Sequence, residues 1–232
     1  MISSVLFKAI GKGYRGVREA GNFSMKAEGE GVIKFILDHQ RGEAPGFHLS
    51  APLRAWFRIL RRLELLGRNP QRYGGFAYGN LSRRHKQGFI ITCSQTSGLE
   101  QLSGNDFAQV TQWSPAANQL RSRGPCRPSS ESLTHATIYQ EATEAHWVFH
   151  AHSPEIWRNA KRLSMPITDP LAEYGTAEMA RAMANTLEQM GRPATGIVSL
   201  GGHEDGVIAW GTTVEEPGCL LLATLARAIT LN

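Results

Sequence analysis

The chain is poor in the features that speak most directly about function. Its 232 residues include three cysteines, Cys93, Cys126 and Cys219, an odd number, far apart and without a Cys-x-x-Cys pair. That spacing excludes a zinc ribbon or a dithiol redox motif and predicts free thiols in a reducing compartment. Long apolar runs are missing as well. None approaches the roughly 18 residues of a membrane span, and residues 5–10 are too short and too interrupted to be read as a signal peptide. A cytoplasmic protein without a membrane partner is therefore expected. Charged residues make up 19% of the chain and hydrophobic ones 41%, a balance that excludes disorder and suits one domain with a sizeable core. The net charge of +5 rests heavily on arginines between Arg54 and Arg72. There they fall between Leu53, Trp56, Phe57, Leu60, Leu63 and Leu66 at helical spacing, which predicts an amphipathic helix with a solvated basic face. No basic stripe interleaves with aromatics as a stacking platform requires, so a nucleic-acid partner is not expected.

What the chain does contain is one stretch that sets up chemistry. Residues 146–154 read His-Trp-Val-Phe-His-Ala-His-Ser-Pro, rich in aromatic and β-branched side chains and closed by Pro154, the pattern of a buried strand. Alternation puts His150 and His152 on one face. Two neutral imidazoles at that spacing supply two corners of a metal site, although a half-buried strand with hydrogen-bonded histidines has the same pattern. A third ligand is offered by His203, in the polar turn Gly201-Gly202-His203-Glu204-Asp205-Gly206 between two apolar runs, where a side chain can reach inward.

Elsewhere, residues 32–38 alternate as a strand does, and Ser50 or Ala51 before Pro52 marks a helix start. Residues 74–83, the strand at 88–92 and the polar loop at 93–98 follow, and both loops can offer backbone N–H groups to an anion. Arg127-Pro128-Ser129-Ser130-Glu131 reads as a helix N-terminus, with Ser129 or Ser130 as the cap and Glu131 in the first turn. A helix is also expected over residues 215–229.

Taken in order, these pieces resemble the class II aldolase/adducin family. The matching residues are Gly79-Asn80-Leu81-Ser82-Arg83-Arg84, the strand Ile90-Ile91-Thr92 with its polar loop, Pro128-Ser129-Ser130-Glu131 with His135 and Tyr139, and His150-x-His152-Ser153-Pro154. Tyr174-Gly175-Thr176-Ala177-Glu178-Met179 and Gly202-His203 with Trp210-Gly211 complete the set. The resemblance covers about residues 50–228. It implies a three-layer α/β/α sandwich around a central, mainly antiparallel sheet, assembled as a homotetramer, with residues 1–48 as an N-terminal extension containing one strand and 49–232 as the family domain. It also implies His150, His152 and His203 as metal ligands, with Zn2+ foremost and Mn2+, Fe2+ or Co2+ as alternatives, and Glu131 as general acid/base. Asn80, Ser97, Gly98, Ser129 and Ser130 fall where relatives hold a substrate phosphate. The implied reaction is aldolase-type C–C bond cleavage or formation in a small hydroxycarbonyl compound, through a metal-stabilised enediolate. Epimerisation and dehydration belong to the same family, and an adducin-like interaction module is the non-catalytic alternative; adducin-type domains lack the ligand histidines.

Three departures stand out. The loop Thr92-Cys93-Ser94-Gln95-Thr96-Ser97-Gly98 is one residue longer than in relatives, and Gln95 replaces a close-approach glycine. Glu204 and Asp205 add two carboxylates beside His203. With Asn232 following soon after the helix expected over 215–229, the C-terminal tail that carries a catalytic tyrosine in the sugar phosphate aldolases is expected to be absent.

Overall fold

The computed structural model of the protein describes residues 32–231. In chain order its elements are β1 (Ile36–Arg41), α1 (Phe47–Arg62), β2 (Gly67–Arg68), β3 (Ala77–Tyr78), β4 (Asn80–His85), β5 (Gly88–Thr92), β6 (Phe107–Ser114) and β7 (Gln119–Gly124). They continue with α2 (Ser132–Glu141), β8 (Trp147–His152), α3 (Pro154–Asn159), α4 (Ala177–Gln189), β9 (Gly196–Ser199), β10 (Gly206–Gly211) and α5 (Glu215–Ile229). Eight strands form one sheet in the order β1-β7-β6-β5-β4-β8-β10-β9. Every neighbouring pair in it is antiparallel except β1 with β7.

Side-chain alternation turns this sheet into the middle layer of three. Phe89 and Ile91 of β5, Val148 of β8 and Ile208 and Trp210 of β10 enter one core, which Leu133 and Tyr139 of α2 and Met179 and Met183 of α4 complete. Ile90, Phe149, Ala151, Val207 and Ala209 point the other way, against Leu53, Phe57 and Leu60 of α1, Ile156 of α3 and Leu221 of α5. Strands buried on both faces explain why the central segments read as apolar runs. The expected α/β/α architecture with a mainly antiparallel sheet is the one found.

Several local expectations shift. Ile33, Phe35 and Leu37 do pack toward the α2/α4 core, as their alternation requires. Hydrogen bonding nevertheless starts later, when the Ile36 N–H donates to Asn118 O at 2.8 Å, so the strand runs from Ile36 to Arg41 rather than over 32–38. Residues 1–31 lie outside the described residues. Helix α1 begins at Phe47, places Pro52 inside rather than at its first position, and stops at Arg62. Glu64 takes a left-handed φ of 57° there, and Leu65 and Leu66 turn back into the core, which ends the helix well before Arg72.

Cys93 and Cys126, expected as free thiols, are joined in a disulfide, with their Cα atoms 5.9 Å apart; Cys219 is free and exposed. A β-bridge between Cys93 and Pro128 aligns the two segments whose cysteines, 33 residues apart, are joined, a proximity that spacing along the chain does not reveal. With that pairing, cysteine usage no longer argues for a reducing compartment. Among the described residues no helix is long and apolar enough to cross a membrane.

Candidate metal and active site

Strand β8 carries His150 and His152 on the face toward α2, and the turn between β9 and β10 carries His203 to them. The ring centroids are 5.0 Å apart for His150 and His152, 5.0 Å for His150 and His203, and 4.7 Å for His152 and His203. One nitrogen from each lies within 4.8 Å of the others. All three rings are buried, His150 at 0%, His152 at 1% and His203 at 3% exposure.

The turn that delivers His203 is held by Leu200 N–H on Gly206 O at 2.9 Å and by Gly201 N–H on Thr168 Oγ1 at 2.9 Å. Gly202 is required there, since a Cβ would run into the Ala172 carbonyl.

His150 Nδ1 faces the Val207 carbonyl at 3.1 Å, which directs Nε2 inward, where that buried atom has no hydrogen-bond partner. Burial, and then the neighbouring rings, hold His150 and His152 well below the ordinary histidine range. They are neutral imidazoles, the form that ligates metals. Convergence, burial and protonation state together fit a divalent ion.

Glu131 reaches the same place from α2. It occupies the N-cap position, and neither Ser129 nor Ser130 caps the helix with its side chain. Instead, the Glu131 N–H donates to Ser129 Oγ at 3.3 Å, and Ser132 Oγ donates to Ser129 O at 2.6 Å. The Glu131 carboxylate, fully buried, thereby turns inward, with Oε1 3.8 Å from His203 Nδ1 and Oε2 accepting from Thr134 Oγ1 at 3.4 Å.

Asn80 pairs in register with His150 across β4 and β8, and its Oδ1 is buried without a partner. Ser129 and Ser130 are buried in the turn before Glu131. Ser97 and Gly98 lie in a 3-10 turn, where the Ser97 hydroxyl donates to the Gly79 carbonyl. Gln95 stands there at φ 65°, in the left-handed region that favours glycine. Its side chain grips Ala77, accepting from the Ala77 N–H at 2.9 Å. Behind the cluster, Ser82 Oγ joins His135 Nδ1 at 2.7 Å and Tyr139 Oη at 2.8 Å, tying β4 to α2; burial pushes His135 down to about 3.

Sequence reasoning missed the aromatic wall. Tyr73 and Tyr78 sit 4.6 and 5.3 Å from the His152 ring, and Tyr174 stacks on His203 at 4.8 Å. Tyr73 Oη donates to Asp205 Oδ2 at 2.7 Å, and Arg72 Nη2 reaches the same oxygen at 3.2 Å. Burial, and then the bond to Asp205, push the Tyr73 hydroxyl well above its ordinary range. The two carboxylates after His203 were visible in the sequence; nothing local pointed to Tyr73.

Comparison with known proteins bears on the family and the fold. The family model described as the Class II Aldolase and Adducin N-terminal domain matches residues 69–218. Among solved structures, the chain is similar to L-fuculose-1-phosphate aldolase from Thermus thermophilus, with 23% identity and a TM-score of 0.61, covering 79% of this chain and 92% of that one. It is also similar to a sugar-phosphate aldolase from Thermotoga maritima, with 15% identity and a TM-score of 0.57 over 77% and 91% of the two chains. A third is the N-terminal class II aldolase domain of a conserved protein from Thermoplasma acidophilum, at 13% identity and a TM-score of 0.54 over 82% and 96%. At these identities the likeness shows the fold. A search of curated protein sequences finds no significant match. With its sequence match spanning more than half of its length, the chain belongs to the class II aldolase and adducin N-terminal domain family.

Proposed function

We propose that the protein is a divalent-metal-dependent lyase of the class II aldolase type, making or breaking a C–C bond beside the carbonyl of a small hydroxycarbonyl substrate. The observation that supports this most is the convergence of three buried imidazoles beside the carboxylate of Glu131. His150, His152 and His203 would hold the ion, with Zn2+ the best match and Mn2+, Fe2+ or Co2+ sharing the same ligand preference. A bound ion supplies positive charge that polarises a carbonyl oxygen and acidifies the neighbouring carbon. Glu131 is placed to take that proton and to return it. Asn80, Ser129 and Ser130, with Ser97 and Gly98, form the polar set that would orient substrate oxygens or a phosphate. The rings of Tyr73, Tyr78 and Tyr174 exclude water, which strengthens every electrostatic contact inside. The aldolases among the structural relatives favour cleavage over epimerisation or dehydration. An interaction module without chemistry is disfavoured, because all three histidines and Glu131 are retained in one place. A homotetramer is part of the same reading.

Elemental analysis of the purified protein tests it. About one transition-metal ion per chain is expected for a three-histidine site, with loss of that metal in His150→Ala and His152→Ala while the fold persists. Metal retained in both variants would remove the ligand assignment, and no metal in the unaltered protein after Zn2+ or Mn2+ is added would move the reading to an interaction module.

A further inference from the structure

A second concavity lies where the end of α1 meets the turns around residues 64–70 and 100–101. It encloses about 660 Å³ and is lined by Arg58, Arg61, Arg62 and Arg68, with Glu64 and Glu100 the acidic groups on its wall. Among the described residues none of these four arginines forms an ion pair, although two carboxylates are near. Two of the guanidinium groups are already fixed in place: Arg61 Nη1 donates to Ser97 O at 3.3 Å and Arg68 Nε to Gly75 O at 2.8 Å. The helix dipole accounts for Arg61 and Arg62, which sit in the last turn of α1. It does not account for Arg68, which comes from β2, or for Arg58, a turn earlier.

We infer that this cavity binds a multiply charged phosphate group, of the kind carried by a small diphosphate or phosphate monoester. Guanidinium forks match phosphate oxygens bidentately, and four like charges gathered around one hollow repel each other until an anion enters. The volume falls within the roughly 300–1,000 Å³ of small-molecule sites. The cavity is separate from the serine turns near Glu131. It shares one wall with the histidine cluster, because Tyr78 lines it while the ring of Tyr78 lies 5.3 Å from that of His152. The inference therefore goes beyond the metal chemistry and stands or falls separately from it.

The test is calorimetric titration of the full chain with pyrophosphate and with inorganic phosphate at about 0.15 M salt, where loose surface attraction is screened. Saturable binding of pyrophosphate is expected, weakened about ten-fold or more in Arg61→Ala/Arg68→Ala through loss of charge-assisted hydrogen bonds. The same weakening is expected in Arg58→Ala/Arg62→Ala, whose exposed side chains put folding at little risk. Arg158→Ala/Lys161→Ala, which removes two exposed cations that do not line the cavity, should bind as the unaltered protein does. Unchanged affinity in both arginine pairs, or an equal loss in Arg158→Ala/Lys161→Ala, overturns the inference. So does an RNA oligonucleotide that binds the unaltered protein and is not displaced by pyrophosphate, since the arginines would then form a nucleic-acid surface. Metal content measured on the same samples separates failure of this site from failure of the lyase reading.

Discussion

Asp205 does several jobs from one buried position: two residues after His203, at a left-handed φ of 60°, it accepts from both Tyr73 and Arg72 on a single oxygen. Tyr73 is itself at φ 51°. Non-glycine residues hold such backbone angles only where their surroundings enforce them, at a cost of roughly 1–3 kcal/mol each. Here the enforcement is the Arg72–Tyr73–Asp205 network against the His152 ring. Tyr73→Phe keeps the ring and removes the donor, so Asp205 is left with Arg72 alone. A loss of about 1–2 kcal/mol is expected, read from the midpoint of urea unfolding. No shift in that midpoint would mean the hydroxyl is not contributing to the network.

At the scale of elements, the site depends on how four segments are fastened. Gly79 at φ 77° lets β3 turn directly into β4 beneath β8, and a Cβ there would strike Leu66 and press on the His150 carbonyl. The Gly-Asn-Leu-Ser motif was readable through the family resemblance, and the structure supplies its reason, since that backbone conformation favours glycine. The disulfide was not, since it links the end of β5 to the approach to α2 across 33 residues. Cross-linking a loop of that length is worth roughly 2–4 kcal/mol through the unfolded state. Reduction, or Cys126→Ser, should therefore lower the melting temperature by several degrees, and thiol titration of the unfolded, unreduced protein should find Cys219 alone. Three titratable thiols in protein prepared without reductant would show that the pairing does not form.

At the scale of the whole molecule, the described surface leaves Ile36, Phe47 and Leu171 exposed at 64%, 62% and 87%. Scattered apolar side chains are ordinary on monomers, so assembly has to be measured rather than read from them. Sedimentation equilibrium is expected to give four times the chain mass, and a monomer at micromolar concentration would remove the tetramer from the proposal. The sequence by itself determined single elements, because buried strands and one-sided helices leave different apolar periods, whereas the layer architecture followed from the family resemblance. It also determined which histidines to look at, because a strand puts His150 and His152 on one face whatever surrounds them, whereas Glu131 came from the resemblance. Tertiary structure alone decided that Glu131 turns inward from an N-cap, that Tyr73 and Asp205 meet beside His152, that Cys93 bonds Cys126, and that four arginines ring one hollow. Each of these joins residues from separate elements, and no local pattern encodes a distance that only the packed sheet and its turns create.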